Sequence, residues 1–125
     1  MKKLKNLEIE TVATQLVINF EKEHGRSILM NKQKGCGWDL CTSDGNEIRY
    51  IEIKSTTGKK LTGRWIEKAG REHLKNNLNF WIYAVVNCKE NGEGRIITLN
   101  HQQLKKVEII EETKYIMKFA KETFI

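Results

Sequence analysis

Asp39, Glu52 and Lys54 are the residues of this 125-residue chain whose types and spacing could do chemistry together. Ser43-Asp44-Gly45-Asn46 lies between the first two and reads as the tip of a β-hairpin. With Gly45-Asn46 as a two-residue loop, Asp44 faces Glu47 and paired residue numbers sum to 91. Asp39 then lies opposite Glu52, with Cβ atoms about 5 Å apart on one face of the sheet. Lys54 is two residues further on and shares that face. Two carboxylates held together bind a hard divalent cation, Mg²⁺ or Mn²⁺, through oxygen, and the main-chain carbonyl of Ile53 is available as a further ligand. Such a cation polarises a phosphodiester and lowers the pKa of a bound water, while a nearby ammonium orients the attack or neutralises developing charge. Glu-x-Lys on a half-exposed strand is also an ordinary surface pattern. Here Ile51 and Ile53 flank the pair and Gly35-Cys36-Gly37-Trp38 leads into Asp39, so the hairpin reads as largely buried. Buried charges need a reason, and a metal is one.

The elements that must position these groups follow from periodicity. Ile9, Val12, Ala13, Leu16, Val17 and Phe20 recur at helical spacing, predicting a helix from Asn6 to His24 that Gly25 ends. Strands are predicted at Ser27 to Asn31, Trp38 to Thr42 and Glu47 to Lys54. A polar loop over Thr56 to Gly63 and a second helix from Arg64 to Asn76 follow. Phe80 to Val86 is continuously apolar, as a buried strand is. A strand at Arg95 to Leu99 and a short helix capped by Asn100 and containing Leu104 come next. In the last 18 or so residues Tyr115, Met117 and Phe119 fit alternation whereas Ile116 and Ala120 fit a helix. This order predicts a mixed α/β or α+β domain, one unit spanning residues 1–125.

The net charge is +6 and the basicity is concentrated. Residues 54–75 hold seven cations, Lys54, Lys59, Lys60, Arg64, Lys68, Arg71 and Lys75, against Glu67 and Glu72. That favours nucleic acid as the partner class. Arg64, Lys68, Arg71 and Lys75 recur at spacings of four, three and four, one stripe of the predicted helix. The stripe reads either as a phosphate-tracking surface or as a solvated helix face. Lys59 and Lys60 sit at the tip of the polar loop, where they could clamp a phosphate backbone. No apolar run approaches the roughly 20 residues of a membrane span, and the basic start, Met1 to Lys5, leads into no apolar signal core, so a cytoplasmic location is the default expectation. Three sparse cysteines argue against a disulfide framework, with Cys41 and Cys88 read as core thiols. Scattered histidines and the lack of a Cys-x-x-Cys spacing argue against structural zinc, and no glycine-rich phosphate loop suggests a nucleotide cofactor.

Gly37-Trp38-Asp39-Leu40, the hairpin and Ile51-Glu52-Ile53-Lys54-Ser55 resemble the PD-(D/E)xK nuclease superfamily. Within it they are similar to the small domain at the C-terminus of the plant protein NO VEIN and of bacterial restriction-type proteins. The likeness spans roughly residues 8 to 100, with Trp38 in place of the proline of the superfamily's name. It implies a restriction-endonuclease-like fold, Asp39 and Glu52 as metal ligands and Lys54 as the catalytic lysine. The superfamily often adds an acidic residue in a Glu-x-x-Ala setting of its first helix, and Glu10-Thr11-Val12-Ala13 matches that pattern. Glu10 lies about 20° around the helix axis from Val17 and so borders the apolar face, where an ordinary solvent-flanking glutamate would sit as well. Glu21 projects similarly but is about 16 Å further along the axis, so only one of the two can serve the site, and Glu10 is preferred.

These readings converge on a metal-dependent nuclease hydrolysing nucleic-acid phosphodiesters, with DNA the expected substrate. A homodimer, or a recognition or motor partner protein, would supply the second active site or the specificity that so small a domain lacks. Two other classes stay open: a non-catalytic nucleic-acid-binding module on the same fold, and a protein-interaction domain whose basic stripe meets an acidic partner.

Overall fold

The computed structural model describes residues 6–111 and 115–124; the basic stretch Met1 to Lys5 lies outside them. Helix α1 spans Asn6–Glu23 and buries Ala13 and Val17 completely. It ends in a Schellman motif: Gly25, at φ +76°, donates to Lys22 O, and Arg26 N–H reaches back to Glu21 O at 2.8 Å. Strands β1 (Ser27–Asn31), β2 (Leu40–Ser43) and β3 (Ile48–Ser55) follow. Then come β4 (Arg64–Ile66), α2 (Lys68–Asn76), β5 (Phe80–Val86) and β6 (Arg95–Leu99). A four-residue helix, α3 (His101–Leu104), β7 (Glu108–Glu111), β8 (Tyr115–Lys118) and a 3₁₀ turn over Lys121–Phe124 complete the order.

One sheet has the order β1-β2-β3-β5-β6. Its pairs are antiparallel except β3 with β5, which run parallel and are connected through β4 and α2, the kind of long crossover that parallel strands require. The β2–β3 pairs, Leu40 with Ile51 through Ser43 with Ile48, sum to 91 as expected for the two-residue loop. Asp44 Oδ1 fastens the turn by accepting from the N–H groups of Asn46 and Glu47. β5 is apolar on both faces because both are covered. Phe80 and Ile82 pack with Trp38, Cys41, Ile66, Leu99 and Met117 on one side, and Tyr83 and Val85 with Ala13, Val17, Leu40 and Ile51 on the other. Each such buried side chain stabilises the fold by about 1.5–3 kcal/mol. Cys41 and Cys88 are buried thiols, pushed up in pKa by that burial.

The structure corrects the second helix. Arg64–Ile66 is not its first turn but strand β4, paired antiparallel with β8, and β8 in turn pairs with β7 in a separate three-stranded sheet. The helix begins only after Glu67, whose backbone is extended. Alternation therefore wins over helical spacing in the C-terminal segment. Among the described residues no helix is long and apolar enough to cross a membrane.

Candidate active site

The site arises because β2 is shorter than β3. β2 begins at Leu40 opposite Ile51, while β3 continues to Ser55 and stays paired with β5 on its other edge. Beyond Ile51, β3 therefore has an open edge toward β2. Asp39 stands at that opening. It steps out of the ladder rather than pairing squarely with Glu52: its N–H donates to Ile51 O at 2.7 Å, and its Oδ2 accepts the N–H of Ile53 at 2.7 Å. One aspartate thus satisfies the strand edge that β2 leaves bare. A strand residue's N–H and C=O point to the same edge, so the Ile53 carbonyl faces the opening too.

A cleft of about 250 Å³ occupies this gap, lined by Glu10 and Thr14 from α1, Lys32, Gly37, Trp38 and Asp39 from the β1–β2 connection, residues 52–55 of β3, and Glu67. Asp39, Glu52, Ile53, Lys54 and Glu10 all line this cleft. Asp39 and Glu52 interact directly, whereas Glu10 lines the cleft without joining that pair. Lys32 and Glu67 were not anticipated. Lys32 Nζ lies 3.5 Å from Asp39 Oδ1. Nothing in their spacing marks either one, since a loop and the end of an extended segment deliver them.

The electrostatics are crowded. Burial, a hydrogen bond with Asp39 and the Asp39 charge push Glu52 well above the usual carboxylate range, with Lys54 and Lys32 offsetting only part. Lys32 is raised by the Asp39 charge, against some burial, and further by Glu52 and Glu67. Across the whole cleft four carboxylates face two ammonium groups. Among the described residues no three His, Cys, Asp or Glu side chains gather into a ready-made metal cluster. The donor set nevertheless fits a hard divalent cation: two interacting carboxylates, one pushed well above its usual range by burial and by its neighbour, beside a main-chain carbonyl on an open edge.

The basic residues divide. Lys59 and Lys60 are exposed on the loop that leaves β3 just after Ser55, a loop pinned by buried Leu61 and by the bond from Asn87 N–H to Gly58 O. Lys68 and Lys75 are exposed on α2 and Arg71 is half-buried there. Arg64 leaves the stripe: in β4 its guanidinium donates to Ser55 O at 2.9 Å, bracing the end of the strand that carries Lys54. Helix α2 is seated against the cleft wall. A Cβ at Gly37, where φ is +82°, would lie 2.6 Å from Gly70 N and 2.7 Å from Ala69 C, so only glycine permits this approach. The His73 ring bonds Cys36 O at 2.9 Å beside it.

Glu21, set aside from the sequence, is accounted for elsewhere. It is fully buried and paired with Arg26 at 2.8 and 2.7 Å, and it accepts from Thr42 Oγ1 and the Tyr83 hydroxyl.

A family model described as protein NO VEIN, C-terminal, matches residues 9–99. No curated protein matches the chain. Among solved structures, the chain is similar to the 1.6 Å structure of Archaeoglobus fulgidus Hjc, a Holliday junction resolvase from an archaeal hyperthermophile. That likeness has a TM-score of 0.61 and covers 88% of this chain and 89% of that one at 10% identity, which establishes shared fold.

Proposed function

Because the chain belongs to the family of NO VEIN C-terminal domains and has the restriction-endonuclease-like α+β fold of the PD-(D/E)xK superfamily, we propose that it is a metal-dependent nuclease acting on DNA. The observation that carries this reading is the inversion of charge at the cleft. The protein as a whole is +6, yet this one depression holds four carboxylates and two lysines. A polyanion is repelled from such a cleft unless a cation enters first, while the basic flanks attract it.

In this reading Asp39 Oδ1, Glu52 and the Ile53 carbonyl hold Mg²⁺ or Mn²⁺, with Glu10 completing the shell from α1. The bound cation supplies Lewis acidity toward the phosphodiester and a more acidic water. Lys54, two residues from Glu52 on β3, stands where its ammonium can orient the attacking water and offset charge building on the phosphate. Ile53 N–H fixes the Asp39 carboxylate by holding Oδ2. Lys59, Lys60, Lys68, Arg71 and Lys75 hold backbone phosphates on either side, a task from which Arg64 is withdrawn by its bond to Ser55 O.

The test incubates purified protein with supercoiled, linear, single-stranded and four-way-branched DNA in Mg²⁺, Mn²⁺ or EDTA, beside Asp39→Ala and Lys54→Ala. Cutting that needs metal and falls at least about 100-fold in both variants is expected. Folded wild-type protein that binds DNA with metal present but leaves every substrate intact would mark a binding module instead.

A further inference from the structure

We propose that Lys32 is an exchangeable counter-ion: it holds Asp39 Oδ1 in the metal-free protein and moves onto a substrate phosphate when a divalent cation takes that oxygen. The inference rests on the nuclease reading above and adds to it a residue that neither spacing nor motif singles out.

The two oxygens of Asp39 are not equivalent. Oδ2 is committed to Ile53 N–H at 2.7 Å. Oδ1 is therefore the oxygen left for a ligand, and it is the one Lys32 Nζ approaches, at 3.5 Å. A divalent cation at Oδ1 would repel an ammonium held 3.5 Å from the same oxygen, so the two compete for it. Which of the pair moves is decided by how they are held. Asp39 is fixed through its own N–H to Ile51 O and through Oδ2, and its side chain is 23% exposed. Lys32 is the first residue beyond β1, whose final pair, Asn31 with Leu40, sets its backbone beside Asp39. Its side chain is 60% exposed on a flexible unbranched stem. An ion pair that exposed is weak, and a doubly charged ion displaces it. The released ammonium stays tethered at the mouth of an otherwise acidic cleft, next to the place where a scissile phosphate has to lie. Its charge then works for substrate binding only after metal has bound, which gives the site an order of assembly.

The test uses the full chain as wild type, Lys32→Met, Lys32→Arg and Asp39→Ala, with matching thermal melts as the folding control. Mn²⁺ uptake is followed by the paramagnetic resonance of the free ion. Lys32→Met is expected to bind Mn²⁺ up to about fivefold more tightly than wild type, and Lys32→Arg like wild type. In Ca²⁺, the salt dependence of Lys32→Met binding to a short DNA duplex should be shallower by about one phosphate contact, and without a divalent cation it should equal that of wild type. Equal Mn²⁺ affinities for wild type and Lys32→Met overturn the exchange, as does an unchanged salt dependence in Ca²⁺. Mn²⁺ uptake abolished by Asp39→Ala but untouched by Lys32→Met removes this inference alone, whereas wild-type protein that takes up no Mn²⁺ removes the nuclease reading with it.

Discussion

Glu21 and Glu52 are glutamates set against the same sheet, one under the C-terminal turn of α1 and the other in the cleft beyond the end of β2. Glu21 receives Arg26 through both carboxylate oxygens, along with Thr42 and Tyr83. Burial alone would push its carboxyl up, but those bonds and the Arg26 charge outweigh it and leave the group below its ordinary value of 4.5. Tyr83, sharing the pocket, is pushed up to about 12 by burial and the Glu21 charge. Arg49 donates to the same hydroxyl and stacks on Trp81, closing the network outward. Glu52 is driven the other way, first by burial and then by its hydrogen bond with Asp39 and the charge of that carboxylate. A carboxylate that serves the fold is given its full complement of donors by the chain. Glu52 is left short of compensating charge, and in the nuclease proposed above a divalent cation would supply it.

The contrast can be broken by substitution. Glu21→Ala is expected to cost about 3–5 kcal/mol in urea unfolding, because Arg26 would be left buried without its partner. Glu52→Gln should leave stability unchanged or raise it by about 1 kcal/mol, since it relieves a crowded pair, while cleavage falls about 100- to 1,000-fold. Comparable losses of stability in the two variants would erase the distinction drawn here.

Acidity sharpens it. The Glu21 carboxyl is depressed in the folded state, so its contribution to stability is complete above the unfolded value of 4.5 and is lost as pH falls through the folded value. Glu52 is raised, so its contribution is complete below the unfolded value and is lost as pH rises through the folded one. Metal-free protein melted at intervals from roughly pH 4 to 8 should thus lose stability on the alkaline side of the free-carboxyl range, and Glu52→Gln should flatten that decline. A wild-type curve that rises throughout the interval would contradict the strain assigned to Glu52.

Smaller effects belong to the periphery of the cleft. Glu10→Gln should lower cleavage about tenfold, well short of the loss in Asp39→Ala, because Glu10 lines the cleft from α1, outside the Asp39–Glu52 pair. Lys59→Ala combined with Lys60→Ala should leave metal uptake alone and reduce the log–log salt slope of DNA binding by about two.

What the sequence disclosed follows from how local the decisive interactions are. β1, β5 and β6 have their predicted bounds, and the hairpin register was readable from its turn alone, because composition and turn chemistry act within a few residues. Asn100 caps α3 with a reciprocal bond to Gln103, likewise a local signal. β4 was illegible because its conformation is decided by β8, some fifty residues away, while the spacing from Arg64 to Lys68 mimics a helix. The departure of Asp39 from the ladder was hidden for a related reason: it depends on where β2 stops, which periodicity does not fix. Glu10, Asp39, Glu52 and Lys54 could be nominated by type, spacing and resemblance. Lys32 and Glu67 enter the cleft only through tertiary packing, and no pattern in the chain announces it.

The meeting of Gly37 with Gly70 carries a metrical consequence. The helix bearing Lys68, Arg71 and Lys75 touches, main chain to main chain, the segment that ends in Asp39. With the backbones this close and the His73 ring bonded to Cys36 O beside them, the helix and the aspartate are held at a short, defined separation. Were a nucleic acid held along α2, as proposed above, the distance from grip to cleft would be a fixed length, a ruler built into the protein.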